Sequence, residues 1–246
     1  MPRYKLILEF DGASFVGWQR QENGVSVQGA LEEAVFRFCG ERVTAHSAGR
    51  TDAGVHALAM PAHVDIEKET DAFRVREAIN HHLKPAPIAA LSVENADADF
   101  HARFSATRRH YRYRISNRRA PLTLDAGRAW RLSPPLNAGA MHEAAQTLVG
   151  KHDFTTFRAS TCQAETPVKT LSSISVFRDE EEVIVETAAR SFLHHQVRSM
   201  VGSLVEVGFG RWSVDAFNDA FRACDRSRCA QVAPACGLYF LKADYD

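Results

Sequence analysis

From Arg3 to Phe10 apolar and polar residues alternate, with Tyr4, Leu6, Leu8 and Phe10 on one face and Lys5 and Glu9 on the other. A period of two is that of a half-buried strand, and Asp11-Gly12 ends it. Val27, Leu31, Ala34, Val35 and Phe38 then recur at helical spacing, with Ser26 placed as an N-cap and Gly40 as a stop. Val43 to Ala48 predicts a short strand, Gly49 to Gly54 a turn, and Leu58 to Ile66 a further strand. Phe73 to Leu83 predicts a helix closed by Lys84-Pro85-Ala86-Pro87, because the residue before a proline is pushed out of the helical region.

The second half repeats this rhythm. Tyr111, Tyr113 and Ile115 alternate with Arg112 and Arg114, which predicts a strand. Ala138 to Val149 predicts a helix with Met141, Ala144, Ala145, Leu148 and Val149 inward. Leu171 to Phe177 and Val183 to Ala188 predict strands around an acidic turn. Gln196 to Val207 carries Val197, Met200, Val201, Leu204 and Val205 on one stripe, and Ser213 caps a last helix that buries Phe217, Ala220 and Phe221. Leu238 to Ala243 predicts a closing strand. Strands and helices mix without regular βα alternation, so the expected class is α+β, an antiparallel sheet with helices on one side. Two lobes are expected, residues 1–103 and 104–246, with Pro134-Pro135 as a connector.

Composition narrows the classes. At 246 residues, 45% hydrophobic and 24% charged, the chain can bury a core without disulfide or metal. No apolar run reaches the roughly 20 residues of a membrane span, and the first residues lack a secretory apolar core. Cys39, Cys162, Cys224, Cys229 and Cys236 form no CxxC pair, which points to reduced thiols and a cytoplasmic protein. The spacing of the last three is a weak zinc pattern. Net charge is zero, but Arg103, Arg108, Arg109, Arg112, Arg114, Arg118, Arg119 and Arg128 fall between Phe100 and Trp130 with one acid, Asp125. Acids gather at Asp179-Glu180-Glu181-Glu182. A basic stretch in a neutral protein implies a localised polyanion-binding face, and arginine suits phosphate because its fork binds two oxygens at once.

Three segments carry candidate chemistry. In Gly49-Arg50-Thr51-Asp52-Ala53-Gly54 two glycines bracket a turn that could present a carboxylate rigidly. Arg50 could pair with Asp52 and favour the charged form that a nucleophile or base needs. Local chemistry by itself favours an ordinary turn aspartate bonded to its own backbone. In Asp99 to Ile115, arginines interleave with aromatics on a strand, so Arg108 and Arg109 could grip phosphates while a ring stacks on an unpaired base. The same segment equally suits buried tyrosines with arginines in solvent. In Arg190 to Gly202, polar residues crowd a helix start, where anions are favoured. His194 and His195 lack a third ligand at suitable spacing, so no metal is expected.

The Gly49–Ala57 turn, the Asp99–Ile115 segment and the Arg190–Gly202 segment together resemble the tRNA pseudouridine synthase A family. The resemblance starts at Phe10-Asp11-Gly12 and Gly17-Trp18-Gln19-Arg20-Gln21 and ends at Gly237-Leu238-Tyr239-Phe240, so it covers nearly the whole chain. Asn80-His81-His82-Leu83-Lys84-Pro85 departs locally, since the family often places proline directly after the leucine. The resemblance implies two similar lobes on a mostly antiparallel sheet with a basic central cleft. It implies an isomerase that converts uridine to pseudouridine at positions 38, 39 and 40 of the tRNA anticodon stem-loop. Asp52 would be the essential residue, Arg50 its ion partner, Tyr111 the ring stacked on the target uracil, and Arg198 a further catalytic cation. Leu238 would wall the site, with Phe192 and His194 among the substrate-binding residues. The resemblance implies no cofactor, a homodimer, and no membrane partner. A non-catalytic RNA-binding module would keep Tyr111 and the arginines without needing Asp52, and a hydrolase would want a second carboxylate that no residue near Asp52 supplies.

Overall fold

The structure is a computed structural model that describes residues 1–246. It is α+β, with ten strands, mostly antiparallel, and five α-helices. None of the helices is long and apolar enough to cross a membrane. The chain divides into two compact units, Met1–Arg109 with Tyr239–Asp246, and His110–Leu238. A single cut after residue 103 would give the last strand to the second lobe; the structure groups nearly all of it with the first. Pro134-Pro135 lies inside the second unit rather than between the two.

In the first unit β1 (Arg3–Phe10) is central, with β3 (His56–Asp65) and β4 (Ile88–Ala96) antiparallel on either side. The short β2 (His46–Ser47) pairs with β3. The segment of β10 (Leu238–Tyr245) from Tyr239 runs parallel to β3 and sets Tyr239 opposite His56. α1 (Val27–Cys39) begins where Ser26 Oγ accepts the Gly29 N–H and stops at Gly40, whose φ of +80° only glycine adopts at no cost. α2 (Ala72–Leu83) is capped by Asp71 and packs on α1. Tyr4, Leu6 and Leu8 of β1, Leu31 and Val35 of α1, and Val75 and Ile79 of α2 are essentially inaccessible, each worth about 1.5–3 kcal/mol of burial.

The second unit orders its strands β5 (Ala106–Ser116, in this unit from His110), β9 (Glu182–Ala189), β8 (Val168–Asp179) and β7 (Gly150–Asp153), with β6 (Trp130–Arg131) parallel to β5. β8 and β9 form a hairpin over Glu180-Glu181. α3 (Ala138–Gln146), α4 (Gln196–Gly208) and α5 (Val214–Arg222) complete it. α4 is buried along nearly its whole length, including Val197, Met200, Val201, Leu204 and Val205. At Gly202 a Cβ would stand 1.9 Å from the Gln231 carbonyl oxygen, so only glycine lets that segment lie against the helix.

Candidate active site

Asp52 stands on the turn between β2 and β3, and three neighbouring segments of the first unit hold that turn. Trp18 N–H donates to the Thr51 carbonyl at 3.1 Å, and Gly17 forms a bridge with Asp52. Gly17 has φ +111°, and a Cβ there would lie 2.6 Å from the Thr51 oxygen. At the end of the turn Val55 N–H returns to the Asp52 carbonyl at 3.2 Å. His56 Nδ1 then lies 3.0 Å from the Gly12 nitrogen and 3.1 Å from the Asp11 carboxylate, while its ring stacks on Tyr239 at 4.8 Å. A Cβ at Gly12 would come within 2.0 Å of the Val55 oxygen. Ahead of the turn, Ser47 Oγ donates to the Gly49 carbonyl at 2.8 Å. Asp52 is half-buried and Arg50 exposed.

Arg109 is placed differently from the expectation that it grips phosphate. It is 9% exposed, and its guanidinium donates to the carbonyls of Ala48 at 3.0 Å, Ala106 at 3.1 Å and Arg103. It is therefore a brace one residue ahead of the Gly49–Gly54 turn. The acidic turn also changes the charge map of the second unit. Arg112 pairs with Glu186 at 2.6 Å, Arg114 with Glu182 at 2.5 Å and Asp125 at 3.1 Å, and Arg118 with Glu181 at 3.3 Å. Charges far apart in sequence are thus neighbours across β5 and β9, while Arg103, Arg108 and Arg119 remain at the surface.

In the second unit Tyr111 and Phe192 come together. The Tyr111 ring is 9% exposed and meets Phe192 edge-on, centroids 5.2 Å apart and planes at 85°. Phe192 is held by a local clamp: Leu193 N–H donates to Gln196 Oε1 at 2.8 Å, and Gln196 N–H returns to the Leu193 carbonyl at 3.0 Å. Between them His195 adopts φ +62°, uncommon for a residue with a Cβ. His194 is exposed, with Nδ1 3.3 Å from Thr161 Oγ1. Arg198 Nε donates to the Ala233 carbonyl at 2.8 Å, and Ala233 N–H donates back to the Arg198 carbonyl at 3.1 Å. Leu238 is buried. Tyr113, next on the same face of β5, donates its hydroxyl to the Pro234 carbonyl at 2.7 Å, and burial pushes its phenol well above the usual range. Tyr113 is thus fully buried in the core, and Tyr111 is nearly so.

Sequence reasoning missed Gly12, Gly17, Trp18 and His56 as the residues that fix the Asp52 turn. Their only signal was membership of short motifs whose partners lie about forty residues away. Cys224, Cys229 and Cys236 do not gather into a ligand set, and all five cysteines are free thiols.

A family model described as tRNA pseudouridine synthase matches residues 6–105 and 144–246. The chain is 59% identical over 245 residues to a tRNA pseudouridine synthase A of Maricaulis maris, covering 100% of this chain and 98% of that protein. It is 61% identical to one of Rhodospirillum centenum and 58% identical to one of Rhodopseudomonas palustris, with 100% of both chains covered in each case. Asp52 and Arg198 lie within the matched spans and Tyr111 falls between them, and the chain belongs to the tRNA pseudouridine synthase family.

Proposed function

We propose that this chain isomerises uridine to pseudouridine at positions 38, 39 and 40 of the tRNA anticodon stem-loop, with Asp52 as the essential residue. The observation that carries the reading is the bracing of the Asp52 turn by Gly12, Gly17, Trp18 and Arg109, together with the family match. A carboxylate on an ordinary surface turn needs no such support.

The chemistry breaks the bond from N1 to C1′ and makes one from C5 to C1′. The C5 proton leaves and N1 gains one, so atoms and electrons balance without a cofactor. Asp52 acts at the nucleotide as nucleophile or base. Tyr111 stacks on the uracil and its hydroxyl handles a proton. Arg198 is a further cation of the site, Arg50 assists Asp52, Leu238 walls the site, and Phe192 and His194 contact substrate. Reaching a paired stem base costs a few kcal/mol of unstacking, which phosphate contacts by surface arginines such as Arg108 help offset.

A homodimer with one tRNA touching both subunits belongs to the same reading and rests on the family resemblance; light scattering tests it. A cytoplasmic location is supported by the five free thiols. The decisive experiment maps pseudouridine in unmodified tRNA after reaction with wild type and with Asp52→Asn. Wild type is expected to modify the anticodon stem-loop, and the variant to bind tRNA without turnover. Release of free uracil by wild type would make the protein a hydrolase instead.

A further inference from the structure

A cavity of about 500 Å³ opens in the first unit, lined by Arg3, Arg42, His46, His63, Asp65 and His101 among others. Its three imidazoles face one another, with ring centroids 5.0 Å apart for His46 and His63, 5.1 Å for His46 and His101, and 4.7 Å for His63 and His101. One ring nitrogen from each lies within 4.8 Å of the others. His63, on β3, is 2% exposed.

Three histidines at this spacing invite a transition metal, but the hydrogen bonds argue for the opposite kind of ligand. His63 Nδ1 accepts the Ala102 N–H at 3.2 Å. His101 Nδ1 accepts the N–H groups of Arg103 at 3.1 Å and Phe104 at 3.4 Å. A ring nitrogen that accepts carries no proton, so in the neutral ring the proton sits on Nε2. Metal-binding histidines do the reverse: the ligating nitrogen is bare and the other ring nitrogen donates. Burial, Arg3 and the neighbouring histidines hold His63 down at about 4, so its ring is neutral near pH 7. Burial likewise lowers His101. Each of these two rings therefore carries its proton on Nε2 and has an N–H to offer. Rings that line a cavity with an N–H to offer suit a ligand that accepts.

The surrounding charges do not oppose an anion as strongly as their number suggests. Arg3 clamps both oxygens of Asp65 at 2.7 Å. Glu41 accepts the N–H groups of Glu67 and Lys68 at 2.7 and 2.9 Å. Glu67 is exposed. Arg42, laid over the Phe36 ring at 4.6 Å, brings a cation to the same cavity.

We propose that His46, His63 and His101 form an oxyanion site that accepts a phosphodiester group of bound tRNA, the ring N–H groups donating to its oxygens. It rests on tRNA being the substrate. Inorganic phosphate shares the chemistry, and the test separates the two sources.

Ring ¹H–¹⁵N spectra of the full-length protein are recorded alone, with inorganic phosphate and with tRNA. Binding of tRNA is measured for wild type and for the double variant His46→Ala with His101→Asn. Asparagine at 101 keeps an acceptor for the Arg103 and Phe104 N–H groups while removing the outward donor. The expected result is an Nε2–H tautomer at His63 and His101, ring signals that move with tRNA, and an about five- to tenfold weaker Kd in the variant, the worth of one or two hydrogen bonds. Signals that move with inorganic phosphate and not with tRNA would overturn the phosphodiester assignment. Unmoved signals, an unchanged Kd, or stoichiometric zinc binding with the proton on Nδ1 would overturn the site. If wild type forms no pseudouridine, the functional reading fails instead, and the ring spectra report on the site independently.

Discussion

Trp18 N–H donates to the Thr51 carbonyl at 3.1 Å, so the strand-end loop after β1 grips the residue immediately before Asp52. Gly17, next to Trp18, makes that grip possible, because a Cβ would stand 2.6 Å from the Thr51 oxygen. Gly17→Ala is therefore expected to displace the turn. A displacement of about 1 Å at a reacting group costs roughly a hundredfold in rate, so kcat should fall by about that factor with tRNA affinity little changed. Single-turnover kinetics and a binding isotherm check it; an unchanged kcat would mean the turn does not depend on this contact.

Tyr111 presents an aromatic ring braced edge-on by Phe192. Tyr111→Phe keeps the ring and its packing, and tRNA affinity should be retained. If the hydroxyl moves a proton, kcat should fall by about 10²–10⁴, the usual contribution of general acid–base catalysis. A variant with wild-type kcat would assign the ring to stacking alone.

Adjacent arginines should give opposite outcomes. Arg108 is exposed and Arg109 is buried against backbone carbonyls of residues 48, 103 and 106. Arg108→Gln is expected to weaken tRNA binding and reduce the salt slope by about one, with stability unaltered. Arg109→Gln is expected to cost about 2–3 kcal/mol of stability, because it strips charge-assisted hydrogen bonds from buried carbonyls. Denaturation curves and salt titrations of both variants distinguish the roles, and a reversal of the two patterns would contradict the structure.

His63 makes stability depend on pH in a defined window. Its folded value is depressed to about 4 from an unfolded value of 6.5. Below 6.5 the unfolded chain takes up a proton that the folded protein refuses, so stability should be fully present above that pH and decline as pH falls toward 4. The open side of the cavity moderates the penalty to about 1–2 kcal/mol. His63→Gln should flatten the decline in urea titrations between pH 6.5 and 4.

The sequence shows some of this directly and conceals the rest for physical reasons. β1 and α1 are readable because their apolar residues keep one period and their ends carry a cap and a stop. β4 escapes because, beyond Ile88 and Ala90, its residues alternate no longer: Leu91, Ser92 and Glu94 all face water at one edge of the sheet. The predicted strand from Val43 to Ala48 shortens to His46–Ser47, and the helix after Asn137 stops at Gln146 rather than Val149. Asp52 is singled out by its motif, yet its setting depends on Gly12, Trp18 and Arg109, whose contacts span tens of residues. The run of arginines looks uniformly cationic only until the β8–β9 hairpin brings Glu181, Glu182 and Glu186 beside three of them.

The last strand has a consequence for how the protein is made. Residues from Tyr239 onward finish the unit that Met1 begins, and the Tyr239 ring covers His56 at the end of the Asp52 turn. A ribosome must therefore synthesise residues 110–238 in between, which takes on the order of ten seconds at typical elongation rates. Throughout that interval the turn bearing Asp52 already exists without the ring that closes over His56. The nascent chain carries the Asp52 carboxylate early and acquires its finished surroundings late, once translation has passed through the whole second unit.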